Sequence, residues 1–189
     1  GSGNSNIGDN VINVDLFDYE NVPVVADVRE LPFKNGSLDS IFNIVVLEHV
    51  REPDRVVREC YRVLKDGGII FSVIPFMQPF HAAPYDYQRY SRPGIEFLHK
   101  EFELIKSGTY GGPVSGFLWV FQEFVALLLS FGIEPLRDLL YLIVMILTWP
   151  IKFLDYFFCR LPTSENIASS FFYYGRKMPI DSQNSMSTR

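Results

Sequence analysis

The sequence predicts an α/β fold built on a parallel sheet, and three observations lead there. Short, nearly uninterrupted apolar runs recur along the first half of the chain. A clear helical periodicity separates two of them, and Asp, Pro and Gly punctuate their ends. Strands that are apolar on both sides belong in a sheet covered on both faces.

Val11, Ile12, Asn13 and Val14 end at Asp15 and read as a buried strand with an acid at its carboxyl end. Residues 22–26 form a similar run ending at Asp27, and Pro32, Asn35 and Gly36 supply the turn that follows. Residues 41–47 (IFNIVVL) predict a further central strand, ending at Glu48 and His49. Pro53 suits the first turn of a helix in which Val56, Val57, Cys60, Val63 and Leu64 recur at spacings of three and four, with Gly67 and Gly68 as its stop. Residues 69–74 (IIFSVI), closed by Pro75, are the next strand. Residues 93–102 read as a helix, 103–107 as a short strand and 170–174 (SFFYY) as the last strand.

The 189 residues suit one domain, here an interrupted one, and the net charge of −5 supplies no basic field for a phosphate backbone. Nucleic acid is therefore not an expected partner. Cys60 and Cys159 lie far apart without ligand spacing, and only His49, His81 and His99 could supplement them, so neither a metal site nor a disulfide is expected. No positive segment followed by an apolar one opens the chain, which leaves a cytoplasmic setting as the expectation. The polar residues 179–189 are expected to be disordered.

In open α/β sheets ligands bind beyond the carboxyl ends of the strands, where a glycine turn lets backbone N–H groups approach closely. Gly1, Gly3, Asp15, Asp27 and the end of the 41–47 strand fit such a site in order. Asp15 could accept from two vicinal ribose hydroxyls and Asp27 from an adenine amino group; either could instead be a turn or capping aspartate. A nicotinamide-dependent oxidoreductase would need a third glycine opening a helix, and residues 4–7 do not supply one at the required spacing.

The ordered pieces GSGN, VINVD, VVADVRELPFKNGSLDSIFNIVVLEHV and EPDRVVRECYRVLKDGGIIFSVIP resemble the class I S-adenosylmethionine-dependent methyltransferases of the methyltransferase type 11 group, across residues 1–75. The resemblance implies a Rossmann-like sheet and S-adenosyl-L-methionine as cofactor. It implies that Gly1 and Gly3, with Ser2, face the methionine part, that Asp15 with Leu16 meets the ribose, and that Asp27 with Val28 meets the adenine. Val46 and Leu47 would flank the cofactor. The family's first strand should precede Gly1, so the chain is expected to begin inside the cofactor loop, as a fragment lacking that strand.

The loop QPFHAAPYDYQRYS, residues 78–91, follows the fifth strand of such an enzyme, where the acceptor pocket is expected. It resembles the loop of methyltransferases found with glycan and cell-envelope biosynthesis. Methyl transfer needs an in-line nucleophile, so positioning dominates and a base helps a hydroxyl acceptor. His81 is the candidate base, with Asp86 or Tyr85 orienting it or the substrate; His81 and Asp86 could instead only tie the loop together. His49, at a helix start, is expected to pack.

Residues 113–165 interrupt the core (1–112) before its final strand (166–178). Residues 117–131 and 139–151 are almost uncharged, yet each falls short of the ~20 apolar residues of a membrane span. The flanking strands are expected to be antiparallel neighbours, so the chain must return to the side it left. That predicts a helical hairpin for a membrane surface, with a lid or an oligomer interface as alternatives. Lys152, Arg160, Trp149 and Tyr156 suit a headgroup boundary. The functional expectation is methyl transfer to a small or lipid- or glycan-linked acceptor, peripheral to the inner face of a membrane; the alternative is a membrane-attached protein that keeps the fold without catalysis. Oligomeric state is not legible.

Overall fold

The computed structural model describes residues 1–5, 8 and 10–179, so the tail expected to be disordered lies, from residue 180 on, outside the described residues. Two short strands, β1 (Val14–Asp15) and β2 (Val24–Val25), pair in parallel. Beside them stands a four-stranded sheet in the order β3-β4-β6-β5, formed by β3 (Leu38–Ile44), β4 (Leu64–Pro75), β5 (Glu103–Gly111) and β6 (Ser170–Arg176). β3 and β4 are parallel, whereas β6 runs antiparallel to both β4 and β5, so the sheet is mixed.

Helix α1 (Pro53–Val63) links β3 to β4, and α2 (Arg92–Leu98) precedes β5. The apolar stripe of α1, Val56, Val57 and Cys60, meets Leu64, Ile70 and Ile74 of β4 and Ile95 of α2 in one core with Phe171 and Tyr173. Cover is thus found on one face of the sheet, not both. The opposite face carries Phe42, Phe71, Phe172 and Tyr110 in aromatic contact, and Phe42 is 58% exposed. The physical reason is that the connections from β1 to β2 and from β2 to β3 are turns, where a helix would have supplied that cover.

Gly67 and Gly68 also act differently from the expectation. The α1 helix ends at Val63 and the chain turns straight into β4, Leu64 being extended with its N–H returned to Cys60 O. Both glycines lie within the irregular start of β4: Gly67 adopts φ +77°, and a Cβ on Gly68 would come 2.7 Å from Lys65 O.

His99 is wholly buried at the end of α2. It contacts Ser72 Oγ through Nε2 (2.9 Å) and Ile95 O through Nδ1 (2.9 Å), and stacks on Tyr173 at 4.5 Å. Burial pushes its pKa down from 6.5 to about 4. The unfolded chain then binds a proton that the folded chain refuses, so this contribution is full above pH 6.5 and is lost as pH falls toward 4. Urea unfolding at stepped pH should show stability dropping by up to about 1.4 kcal/mol per pH unit in that window, and His99→Gln should flatten the slope.

Between β5 and β6 the chain forms α3 (Pro113–Ser130), α4 (Glu134–Thr148), a 3-10 stretch (Trp149–Leu154) and the short α5 (Asp155–Phe158). The strands on either side are antiparallel neighbours, as expected, and the hairpin closes on itself at its base. Asp155 accepts from the Val114 and Ser115 amides at 2.7 and 2.9 Å, capping the start of α3 from the far end of the excursion. Gly112 permits that approach, since a Cβ there would lie 2.3 Å from the Asp155 carboxyl carbon. Gln122 donates to Thr148 Oγ1 (2.8 Å) and Arg137 to Glu123 (2.5 Å) between the helices.

The outer surface of this hairpin is bare. α3 buries Leu118, Gln122, Ala126 and Ser130, spaced by four, while α4 buries nothing; Phe124, Leu128, Ile146 and Leu147 are 59%, 59%, 61% and 72% exposed. Neither stretch falls short of a span: helical backbone runs through Pro113–Ser130, 18 residues, and Glu134–Phe158, 25 residues, each long enough and apolar enough to cross a membrane. The second ends beside the point where α3 began.

Candidate functional site

The carboxyl ends of β1 and β3 meet at the glycine loop. Gly3 adopts φ +51°, a left-handed conformation that glycine takes without strain, and its N–H donates to Asp15 Oδ2 at 2.8 Å. The Phe17 amide donates to Asp15 Oδ1 at 3.0 Å, and the Ser2 amide to Val14 O at 3.2 Å. Burial opposes ionisation of Asp15, but hydrogen bonds from the backbone amides, those of Gly3 and Phe17 first, hold the carboxyl below its usual range. A carboxylate offers about four lone-pair positions, so each oxygen keeps one for a ligand hydroxyl after accepting from the backbone.

Gly1 packs against Val46, where a Cβ would meet Val46 Cγ2 at 2.8 Å, so the loop and the end of β3 are brought together as expected. The other expected contacts divide. Asp27 is taken up by Arg29, whose Nε lies 3.0 Å from each carboxylate oxygen and whose Nη2 lies 2.6 Å from Oδ2; this pairing holds its pKa down. Leu16 is 54% exposed, and Val28 packs against the core. Leu47 is fully buried in the core, so its side chain supports the site from behind.

In the loop of residues 78–91, Asp86 binds Arg89 in a two-pronged pair, with Nη2 to Oδ2 at 2.6 Å, and also accepts from the His81 amide at 2.8 Å. Arg89 drives the Asp86 pKa down to about 2, so this carboxylate stays ionised and ties the loop. Tyr85 is 61% exposed, its ring against Tyr87 and its carbonyl accepting from His49 Nδ1 at 2.6 Å. The loop is stapled to the turn after β3: Gln88 Nε2 donates to Leu47 O (2.9 Å) and Val50 O (2.8 Å), and the Tyr87 amide donates to Glu48 O (2.8 Å).

His81 stands against Glu48 and His49, three groups that no spacing in the sequence unites. Its Nε2 lies 3.8 Å from Glu48 Oε1, that of His49 lies 3.7 Å from the same oxygen, and the two rings meet edge-on at 5.4 Å. Glu48 is completely buried, which raises its pKa, and neither carboxylate oxygen has a hydrogen-bond partner; His81 Nε2 has none either. The available signal was an ionisable residue directly after an apolar run, at a strand end that faces a ligand cleft.

Trp119 of α3 lies over His81 at 5.5 Å and begins the wall of a cleft of about 1030 Å³. Val45 and Val73, at the ends of β3 and β4, form its floor, while Tyr141, Met145, Trp149 and Tyr156 of the hairpin form an apolar wall. Lys152 and Arg160 line it as well, Arg160 lying over the Tyr156 ring at 4.1 Å.

Residues 6–72 match a family model described as a methyltransferase domain. A probable S-adenosylmethionine-dependent methyltransferase of Mycobacterium tuberculosis is 40% identical over 58 residues, 30% of this chain and 21% of that protein. Sterol methyltransferase-like 1 of Botryococcus braunii is 32% identical over 93 residues, 49% of this chain and 20% of that protein. The matches span about one fifth of these curated relatives. The solved structure of a candidate methyltransferase from Bacillus halodurans superposes with a TM-score of 0.52 at 16% identity, covering 90% of this chain and 83% of that one.

Proposed function

We propose, from a class I methyltransferase fold whose residues 6–72 match the methyltransferase domain family, that this chain binds S-adenosylmethionine and transfers its methyl group to a small or lipid- or glycan-linked acceptor at a membrane surface. The observation that carries the reading is Asp15: an ionised strand-end carboxylate that accepts from the Gly3 amide, in a glycine loop whose Gly1 packs on Val46. The ribose would sit on Asp15 and the methionine part along Gly1, Ser2 and Gly3. Val46 flanks the donor where it packs on Gly1.

In the transfer an acceptor lone pair attacks the methyl carbon and the carbon–sulfur bond breaks, leaving a neutral thioether. The acceptor's proton goes to a base or to water. The apolar wall of the cleft excludes water and aligns the acceptor, which accounts for most of the effect. His81 faces this region beside Trp119, with Asp86 and Arg89 fixing its loop; Tyr85 is exposed at the surface. In this reading the bare apolar side of the hairpin would lie in lipid and the protein at the inner face of a membrane; the exposed Phe124, Leu128, Ile146 and Leu147 support it.

Calorimetric titration with S-adenosylmethionine and with its demethylated product tests the core of this reading. Saturable binding of both is the expected result. Absence of binding by either would reject the enzyme assignment in favour of a protein that retains the fold without the chemistry.

A further inference from the structure

We infer that Glu48, His49 and His81 form a binding site for a divalent transition-metal ion, next to Trp119 of the cleft wall. Their ligand atoms lie within 4.8 Å of one another, and hydrogen bonding around them fixes what those atoms present. His49 Nδ1 is 2.6 Å from Tyr85 O, and His81 Nδ1 is 2.9 Å from Pro79 O. A carbonyl only accepts, so each Nδ1 carries the proton and each Nε2 presents a lone pair. Arg89 Nη2, 3.3 Å from His81 Nδ1, does not reverse this, because it donates at shorter range to Asp86 (2.6 Å) and Pro79 O (2.9 Å).

Two bare imidazole nitrogens therefore converge on a fully buried carboxylate whose two oxygens have no partner. Acceptors facing acceptors in a buried space are relieved by a cation between them or by a proton on Glu48, and at 3.7 and 3.8 Å such a proton would reach neither imidazole nitrogen. A proton on either Nε2 would have to donate across 3.7 or 3.8 Å, beyond hydrogen-bond reach, whereas a metal bridges such gaps. Coordination at ~2.0–2.2 Å asks the three side chains to close by a fraction of an ångström to about one ångström, within rotamer adjustment. Histidines anchored through Nδ1 to backbone carbonyls are the usual outer support of metal-binding imidazoles.

Two imidazoles and one carboxylate favour zinc, manganese, iron or cobalt over magnesium or calcium. Three protein ligands leave positions for water or an acceptor oxygen, and Trp119 connects the cluster to the cleft. The charge of Arg89 is offset by its pair with Asp86, so little local repulsion opposes a dication. Use of the ion to orient or acidify an acceptor hydroxyl rests on the methyl-transfer reading; binding of the ion does not.

The test uses the tag-free chain after chelator treatment, titrated with cobalt(II) and zinc(II) without cofactor or acceptor. One ion per chain, with cobalt absorption bands showing nitrogen ligation, is the expected result. Glu48→Gln and, separately, His81→Gln should each weaken binding by about 100-fold or more. His81 is partly exposed, so its variant keeps the test decisive if the Glu48 variant does not fold. No binding by the native chain, or binding unchanged in the His81 variant, overturns the site. Titration of the same samples with S-adenosylmethionine separates failure of this inference from failure of the cofactor assignment.

Discussion

Replacing Asp15 with alanine should weaken S-adenosylmethionine binding by about 100-fold. A hydrogen bond to a charged group contributes about 1.5–3 kcal/mol, and the substitution removes the ionised acceptor for both ribose hydroxyls. It also strips the Gly3 and Phe17 amides of their partner, so the glycine loop loses the contact that orients it. Asp15→Asn should fall between the two, since one oxygen remains and the charge is gone. Titration calorimetry measures the effect, and the urea midpoint shows whether the fold survives. A folded alanine variant of native affinity would mean that Asp15 is only a turn residue.

Changing Phe124, Leu128, Ile146 and Leu147 together to aspartate should abolish association with anionic phospholipid vesicles. Each of these side chains is more than half exposed, and moving one from water into an apolar phase is worth about 1.5–3 kcal/mol. Charges at the same positions reverse the sign, so vesicle flotation should show at least a tenfold loss of bound protein, on the order of the ~1.4 kcal/mol that one decade represents. The cleft wall is formed by other residues, including Trp119, Tyr141 and Trp149, so cofactor affinity should persist. A native protein that ignores vesicles and instead forms a stable dimer, lost in the variant, would reassign this surface to self-association.

The sheet was legible because its strands are apolar runs with few competing interpretations. β3, β4 and β6 lie where residues 41–47, 69–74 and 170–174 placed them, each extended or shifted by a few residues. The register was not legible, and neither was the bare face, since Phe42 and Ile41 read equally as buried while only the absent crossover helices decide which one faces water. At the candidate site, Gly3 and Asp15 were singled out by their order along the chain, and Val46 by the family resemblance. The grouping of Glu48 with His81 was not legible, because the two come within 3.8 Å only through folding. The pairing of Asp27 with Arg29 escaped notice for the opposite reason: it is local and depends on side-chain geometry that an extended reading of the chain does not contain.

The staple formed by Gln88 and Tyr87 has a mechanical meaning. Both carbonyls that Gln88 grips and the one that Tyr87 donates to belong to residues 47–50, the turn that leaves β3. The loop of residues 78–91 is therefore no free flap on the sheet. To swing outward it must break these three hydrogen bonds and the one between His49 Nδ1 and Tyr85 O, or carry the end of β3 along with it, so strain introduced in the loop is delivered to that turn.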